Sequence, residues 1–218
     1  MVMSLNSVAV KSSGLPLTQA WCLGIFTTNS LKTISSVLPS AGCPQPRWCD
    51  AEARNYLGPR ASSIFPVPAR EAVWSRDYDE ACRINERILG QRLSKQSWGI
   101  TPKIREADAV FRLAPGLQQR LRETHPELCF RLLNRLRPLE NPKKSRAGGR
   151  VRRELLRGWI TNLDAMLRRA RGARPDDLLD AVAAAVVARL FTENRASAVR
   201  PVTEQRDAFG LVMEIAGL

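Results

Sequence analysis

The chain has 218 residues, 44% of them apolar, and a formal charge of +13. That length suits one domain of ordinary size, or one domain with a tail, and supplies enough apolar residues for a core. No run of 18 apolar residues occurs, so no membrane span is expected; the five cysteines (Cys22, Cys43, Cys49, Cys82, Cys129) show no C-x-x-C spacing, indicate neither a zinc site nor a disulfide framework, and fit a reducing, cytoplasmic setting.

Residues 1–46 read as an atypical segment without sustained helical or strand period, disordered or frameshifted in origin. Lys11 and Lys32 are their only charges, and no acidic residue occurs before Asp50. The segment is Ser-rich, but it lacks the arginines of a transit peptide and the basic start of a signal peptide. Trp21–Phe26 could form a strand, and Ala41–Pro46 is a breaker run.

From Arg47 the composition turns charged and helix-patterned, and residues 47–218 read as the folded domain. A helix is expected from Cys49 to Leu57, stopped by Gly58-Pro59. Ala61–Pro68 reads as an extended loop and Arg70–Trp74 as a short turn. Asp77–Leu89 is expected to be a helix closed by Gly90, with Tyr78, Cys82, Ile84, Ile88 and Leu89 approximating one face. Ser94–Leu113 is expected as two helical pieces, broken at Gly99–Pro102 and capped at Ser94–Ser97.

The period then changes. Leu128, Phe130 and Leu132 alternate with Cys129, Arg131 and Leu133, which predicts a buried strand led in by His125-Pro126-Glu127. Asn141–Gly149 reads as a basic loop, followed by helices over Arg150–Arg157 and Asn162–Arg171. Pro175–Leu190 is the best-defined helix; its body from Ala181 to Ala188 is apolar on every side, which predicts close burial. Gly210–Ile215 is a candidate last strand.

Charge is focused as well. Pro142–Arg174 carries 11 Lys and Arg against Glu154 and Asp164, a net +9, whereas the rest of the chain carries +4. Such a segment favours a polyanion such as nucleic acid, or an acidic protein surface; the plainer alternative is a solvated Arg-rich helical face. Lys143, Lys144, Arg146 and Arg150, followed by Arg152 and Arg153, form a candidate phosphate-contact patch. It matches no G-x-x-x-x-G-K-[ST] loop, and Trp159 is the only aromatic residue available there for base stacking.

Asp176, Asp177 and Asp180 open the apolar helix. Asp177 and Asp180 share a face and could offer oxygen ligands to Mg²⁺ or Mn²⁺. The alternative is that these acids complement the helix dipole, with Asp176 as N-cap. Glu123, His125 and Glu127 could join a hydrolytic site, or could make structural hydrogen bonds where the next element begins. His125 is the only histidine, so an H-E-x-x-H site is ruled out.

Several ordered strings together resemble a bacterial family, domain of unknown function four-two-nine, described as predicted nucleases of the RNase H fold. They are Arg47-Trp-Cys-Asp50, Leu57-Gly-Pro-Arg60 through Pro68, Leu93–Gln96, Pro102–Asp108, Glu123–Phe130, Lys143-Lys-Ser145, Asp176–Ala181 and Arg206–Ile215. The resemblance implies an α/β, RNase H-like mixed sheet with flanking helices, here helix-rich and incomplete at the N-terminus. It implies metal-dependent phosphodiester hydrolysis, with Asp177 and Asp180 on the helix that supplies the last metal ligand and with Glu123, His125 and Glu127 on the family's strand motif. Family members open with a V-G-x-D-G strand and a second strand ending D-x-P-x-G-L-P. Neither is present, and Gly14-Leu15-Pro16 is only an echo, so the front is expected to have been replaced by a frameshift or a wrong start site. Two ligand carboxylates would then be missing, and the chain could be inactive. The rival expectation is a non-enzymatic nucleic-acid or protein binder that uses residues 142–174.

Overall fold

In the computed structural model, residues 45–113, 122–170 and 172–218 are described. The expectations for residues 1–44, including the Trp21–Phe26 strand and Cys22 and Cys43, lie outside them. The described residues are helix-rich, with eight α-helices and one two-stranded sheet among them. They form two compact units. The first holds 45–113, 122–123 and 198–215; the second holds 124–170, 172–197 and 216–218.

In the first unit, α1 (Trp48–Leu57) ends where Gly58 takes a positive φ of 47°, and a 3₁₀ turn follows over Gly58–Ser63. The short turn expected at residue 70 is helix α2 (Arg70–Val73). Helix α3 (Tyr78–Leu89) begins at Asp77, whose side chain accepts the Glu80 amide at 2.8 Å, and ends at left-handed Gly90. Its buried Ala81, Cys82 and Ile88 pack with Ala69, Ala72 and Leu93.

Helix α4 corrects an expectation. It runs unbroken over Lys95–Leu113, with Pro102 inside it. A proline here leaves the Trp98 carbonyl without its usual amide donor. The Thr101 hydroxyl donates to that carbonyl at 2.8 Å, so the acceptor is satisfied and the helix continues. The cap expected at Ser94 is present: its hydroxyl accepts the Ser97 amide at 3.0 Å.

The second unit contains α5 (Pro126–Leu133), α6 (Arg146–Arg157), α7 (Leu163–Arg169) and α8 (Pro175–Thr192). The strand expected over Leu128–Leu133 is therefore a helix. Pro126 sits at its first turn, where no amide is needed, and the Nδ1 of His125 accepts the Glu127 amide at 3.3 Å. Its apolar run is buried at Leu128, Cys129, Phe130 and Leu133, and an apolar run this short looks the same in a buried strand and a buried helix. Helix α6 starts four residues earlier than expected, because Ser145 caps it by accepting the Gly148 amide at 3.0 Å. As the composition of α8 requires, its body is buried from Ala183 to Val187 and packs with Phe130, Leu133, Leu156 and Ile160.

Among the described residues the strands are short. Ala198–Val199 (β1) pairs with Ile215–Ala216 (β2), and of the expected Gly210–Ile215 strand only Ile215 is included. Reciprocal 2.7 and 3.0 Å bonds between the backbones of Ser197 and Leu218 have the antiparallel pattern.

Candidate functional site

The start of α6 is built around one glycine. The turn Pro142–Ser145 folds back so that the Pro142 carbonyl accepts from the Ser145 amide at 3.0 Å and from its hydroxyl at 2.8 Å. A Cβ at Gly148 would lie 2.0 Å from that carbonyl oxygen, so no side chain fits. Arg152 donates to the Asn141 carbonyl at 3.1 Å and closes the turn from the other side. The turn thereby fixes the backbone that carries Lys143 and Lys144.

Lys143 extends to the first turns of α8. Its Nζ lies 2.7 Å from Asp180 Oδ2, 3.9 Å from Asp176 Oδ2 and 3.9 Å from Asp177 Oδ1. Asp180 is 2% exposed. Burial pushes its carboxyl up to about 6, against the pull of the Lys143 ammonium, and the nearby Glu127 charge adds to the rise. Burial works to depress Lys143, but Asp180, then Asp176 and Asp177, outweigh it and hold the amine above its ordinary value.

Glu127 lies near this cluster but has its own counter-ion. Arg152 grips both of its oxygens, at 2.7 and 2.8 Å, and its guanidinium stands 5.2 Å from the centre of the Phe130 ring. His125 caps α5, as described above. Glu123 falls in the first unit, where buried Arg47 donates to it at 2.7 and 3.2 Å. Of the five acids and one histidine picked out in the sequence, Asp176, Asp177, Asp180 and Glu127 are thus brought together, His125 supports the backbone beside Glu127, and Glu123 serves another ion pair.

The donor set as folded does not fit a resident divalent ion. Among the described residues no three His, Cys, Asp or Glu side chains form a group placed to hold one. The Lys143 ammonium stands where the three aspartates face each other, and Glu127 is saturated by Arg152.

Beside this cluster an open cleft of about 580 Å³ runs between α6 and the start of α8. Seven cationic residues line it (Lys143, Lys144, Arg146, Arg150, Arg153, Arg157 and Arg174) against two acids, Glu154 and Asp176. Arg146, Arg150, Arg153 and Arg157 recur at helical spacing along one face of α6, while Gly148, Arg152 and Leu156 face inward. Asp164 takes up Arg157 at 2.8 Å and Arg153 at 3.3 Å. Lys144, Arg146 and Arg150 are exposed and have no carboxylate partner among the described residues. Lys143, Lys144, Arg146, Arg150 and Arg153 of the expected phosphate patch therefore line one cleft, although Lys143 also serves the carboxylates; Arg152 does not line it.

Two pairings with acids were missed in the sequence, those of Arg152 and of Lys143; Arg152, expected with Arg153 beside the phosphate patch, is buried on Glu127 instead of lining the cleft. For Arg152 a signal existed, since it shares the inward face of α6 with Leu156, and a charge there requires a buried partner. For Lys143 there was none, because its nearest partner is 37 residues away.

A family model described as Protein of unknown function (DUF429) matches residues 35–205, which include every string noted above except Arg206–Ile215. No curated protein and no solved structure matches the chain.

Proposed function

The chain belongs to the family described as Protein of unknown function (DUF429), and from that premise we propose that its second unit binds the phosphate backbone of a nucleic acid in the cleft between α6 and α8. The observation that carries this reading is the row of exposed cations with no carboxylate partner among the described residues, Lys144, Arg146 and Arg150, in a cleft with few acids. Ion pairs already formed would have to be broken before a phosphate could be bound; these three groups carry no such penalty. The α6 stripe from Arg146 to Arg157 is about 16 Å long at 1.5 Å per residue, enough to follow several consecutive phosphates.

Hydrolysis of the phosphodiester by an RNase H-like domain, which the family resemblance implies, is the second reading. One observation favours it: Lys143 and Asp176 line the cleft, and Lys143 is hydrogen-bonded to buried Asp180. A single experiment separates the two. Anisotropy of a labelled oligonucleotide is measured against salt for the full chain and for Arg146→Glu with Arg150→Glu. The binding reading expects affinity that falls steeply with salt, and a log–log slope flattened by about 2 in the double variant. Salt-insensitive binding, or a variant equal to wild type, rejects it. Cleavage of the oligonucleotide that stops in Asp180→Asn puts the hydrolytic reading in its place.

A further inference from the structure

In the first unit a buried ion triad carries two exposed aromatic rings. Arg70, in α2, donates to Asp108 of α4 and to Asp207, and all three are buried. Trp74, just after α2, donates from its Nε1 to Asp108 at 3.4 Å, and the Arg105 guanidinium stands 6.0 Å from its ring centre. Phe209 sits in a tight turn: Asp207 Oδ1 accepts the Phe209 and Leu211 amides, each at 2.9 Å, and Gly210 supplies a positive φ of 78°. The Arg70 guanidinium lies 4.5 Å from the Phe209 ring centre. Both rings are thereby held by one buried network, yet Trp74 remains 48% and Phe209 56% exposed. Half-exposed Arg112 stands beside them, 5.3 Å from the Phe209 ring centre and 4.0 Å from Asp108.

Rings already fixed in place lose little rotamer freedom when a partner arrives, so they offer pre-organised apolar area. We propose that Trp74 and Phe209, with the Arg112 guanidinium beside them, stack unpaired bases of a single-stranded nucleic acid. A flat base matches an aromatic or guanidinium plane, and only an unpaired base can turn its face to one. Charge favours the same partner. The guanidinium groups of Arg70, Arg105 and Arg112 adjoin the rings against two carboxylates, Asp108 and Asp207, in a chain of net +13. This site belongs to the first unit and does not rest on the cleft of the second.

The test measures anisotropy of a labelled oligodeoxythymidylate, alone and paired with oligodeoxyadenylate, for the full chain and for Trp74→Ala with Phe209→Ala. Single-strand affinity is expected to fall by about 10-fold to 100-fold, the loss of one or two stacked bases, with duplex affinity and the salt slope unchanged. If circular dichroism shows that the double variant does not fold, Phe209→Leu replaces it. That change keeps an apolar side chain at a largely exposed position and removes only the ring; it is expected to cost about 5-fold or more. A folded variant that binds the strand like wild type overturns the proposal and leaves the rings to a protein partner. Equal losses on strand and duplex overturn it, as does a wild type that binds no single strand. Arg146→Glu with Arg150→Glu, which tests the cleft, leaves both rings in place, so either reading can fail without the other.

Discussion

Replacing Arg152 by Met keeps the packing of its aliphatic stem and removes only the guanidinium, so the loss of stability reports the charge network. The side chain is 1% exposed and its bidentate partner Glu127 is 6% exposed. Arg152 also donates to the carbonyls of Asn141 and Gly148 at 3.1 and 3.3 Å. The substitution leaves a buried carboxylate with no counter-ion and takes donors from two carbonyls. Breaking a buried ion pair from one side costs about 3–5 kcal/mol. At about 2–4 °C per kcal/mol for a chain of this size, the melting temperature should fall by roughly 6–20 °C. Thermal unfolding followed by circular dichroism measures the shift, and urea unfolding measures the free energy. The companion variant, Arg152→Met with Glu127→Leu, removes both charges at similar volume. It should recover most of the loss, because desolvation of the pair offsets much of its attraction. A single variant within about 1 kcal/mol of wild type would refute the reasoning, since no structural ion pair of this burial is worth so little when half-broken. A double variant as unstable as the single would show that shape, not charge, holds α5 to α6.

Two further outcomes follow from the same unit. Gly148→Ala forces a methyl group onto the Pro142 carbonyl, so the turn must move; it should lower stability by about 2 kcal/mol or more, and phosphate-backbone binding should weaken with it, whereas Gly149→Ala, inside α6 and meeting nothing within 4 Å, should raise stability by up to about 1 kcal/mol and leave binding unchanged. Asp180 titrates in the folded chain at about 6 instead of the usual 3.8. The folded state therefore holds its proton more tightly, and stability falls as pH rises from about 4 to about 6, by on the order of 3 kcal/mol, then levels. Asp180→Asn removes this term, so its stability relative to wild type should improve by that amount between pH 4 and pH 7, whatever offset an unpaired Lys143 adds at every pH. Parallel pH profiles for the two proteins would contradict the assigned burial.

The site was half visible in the sequence for a physical reason. The cluster Asp176, Asp177 and Asp180 and the cations Lys144, Arg146 and Arg150 are legible because helical spacing alone decides which of them share a face. Their electrostatic roles were not legible. A carboxylate reads the same whether it awaits a metal, a lysine or solvent, and the choice belongs to whatever the fold brings beside it.

Elements bounded by local chemistry were determined by the sequence itself: α3 between Asp77 and Gly90, α8 from Pro175 with its apolar body, and the stop of α1 at Gly58. Each depends on hydrogen bonds and backbone preferences within a few residues. Tertiary structure decided the rest. The run after His125 became a helix buried against α8 rather than a strand, because burial on all sides removes the periodicity that distinguishes the two. Lys143 and Arg152 acquired carboxylate partners 37 and 25 residues away, and a counter-charge at that distance is fixed only when the chain has closed on itself.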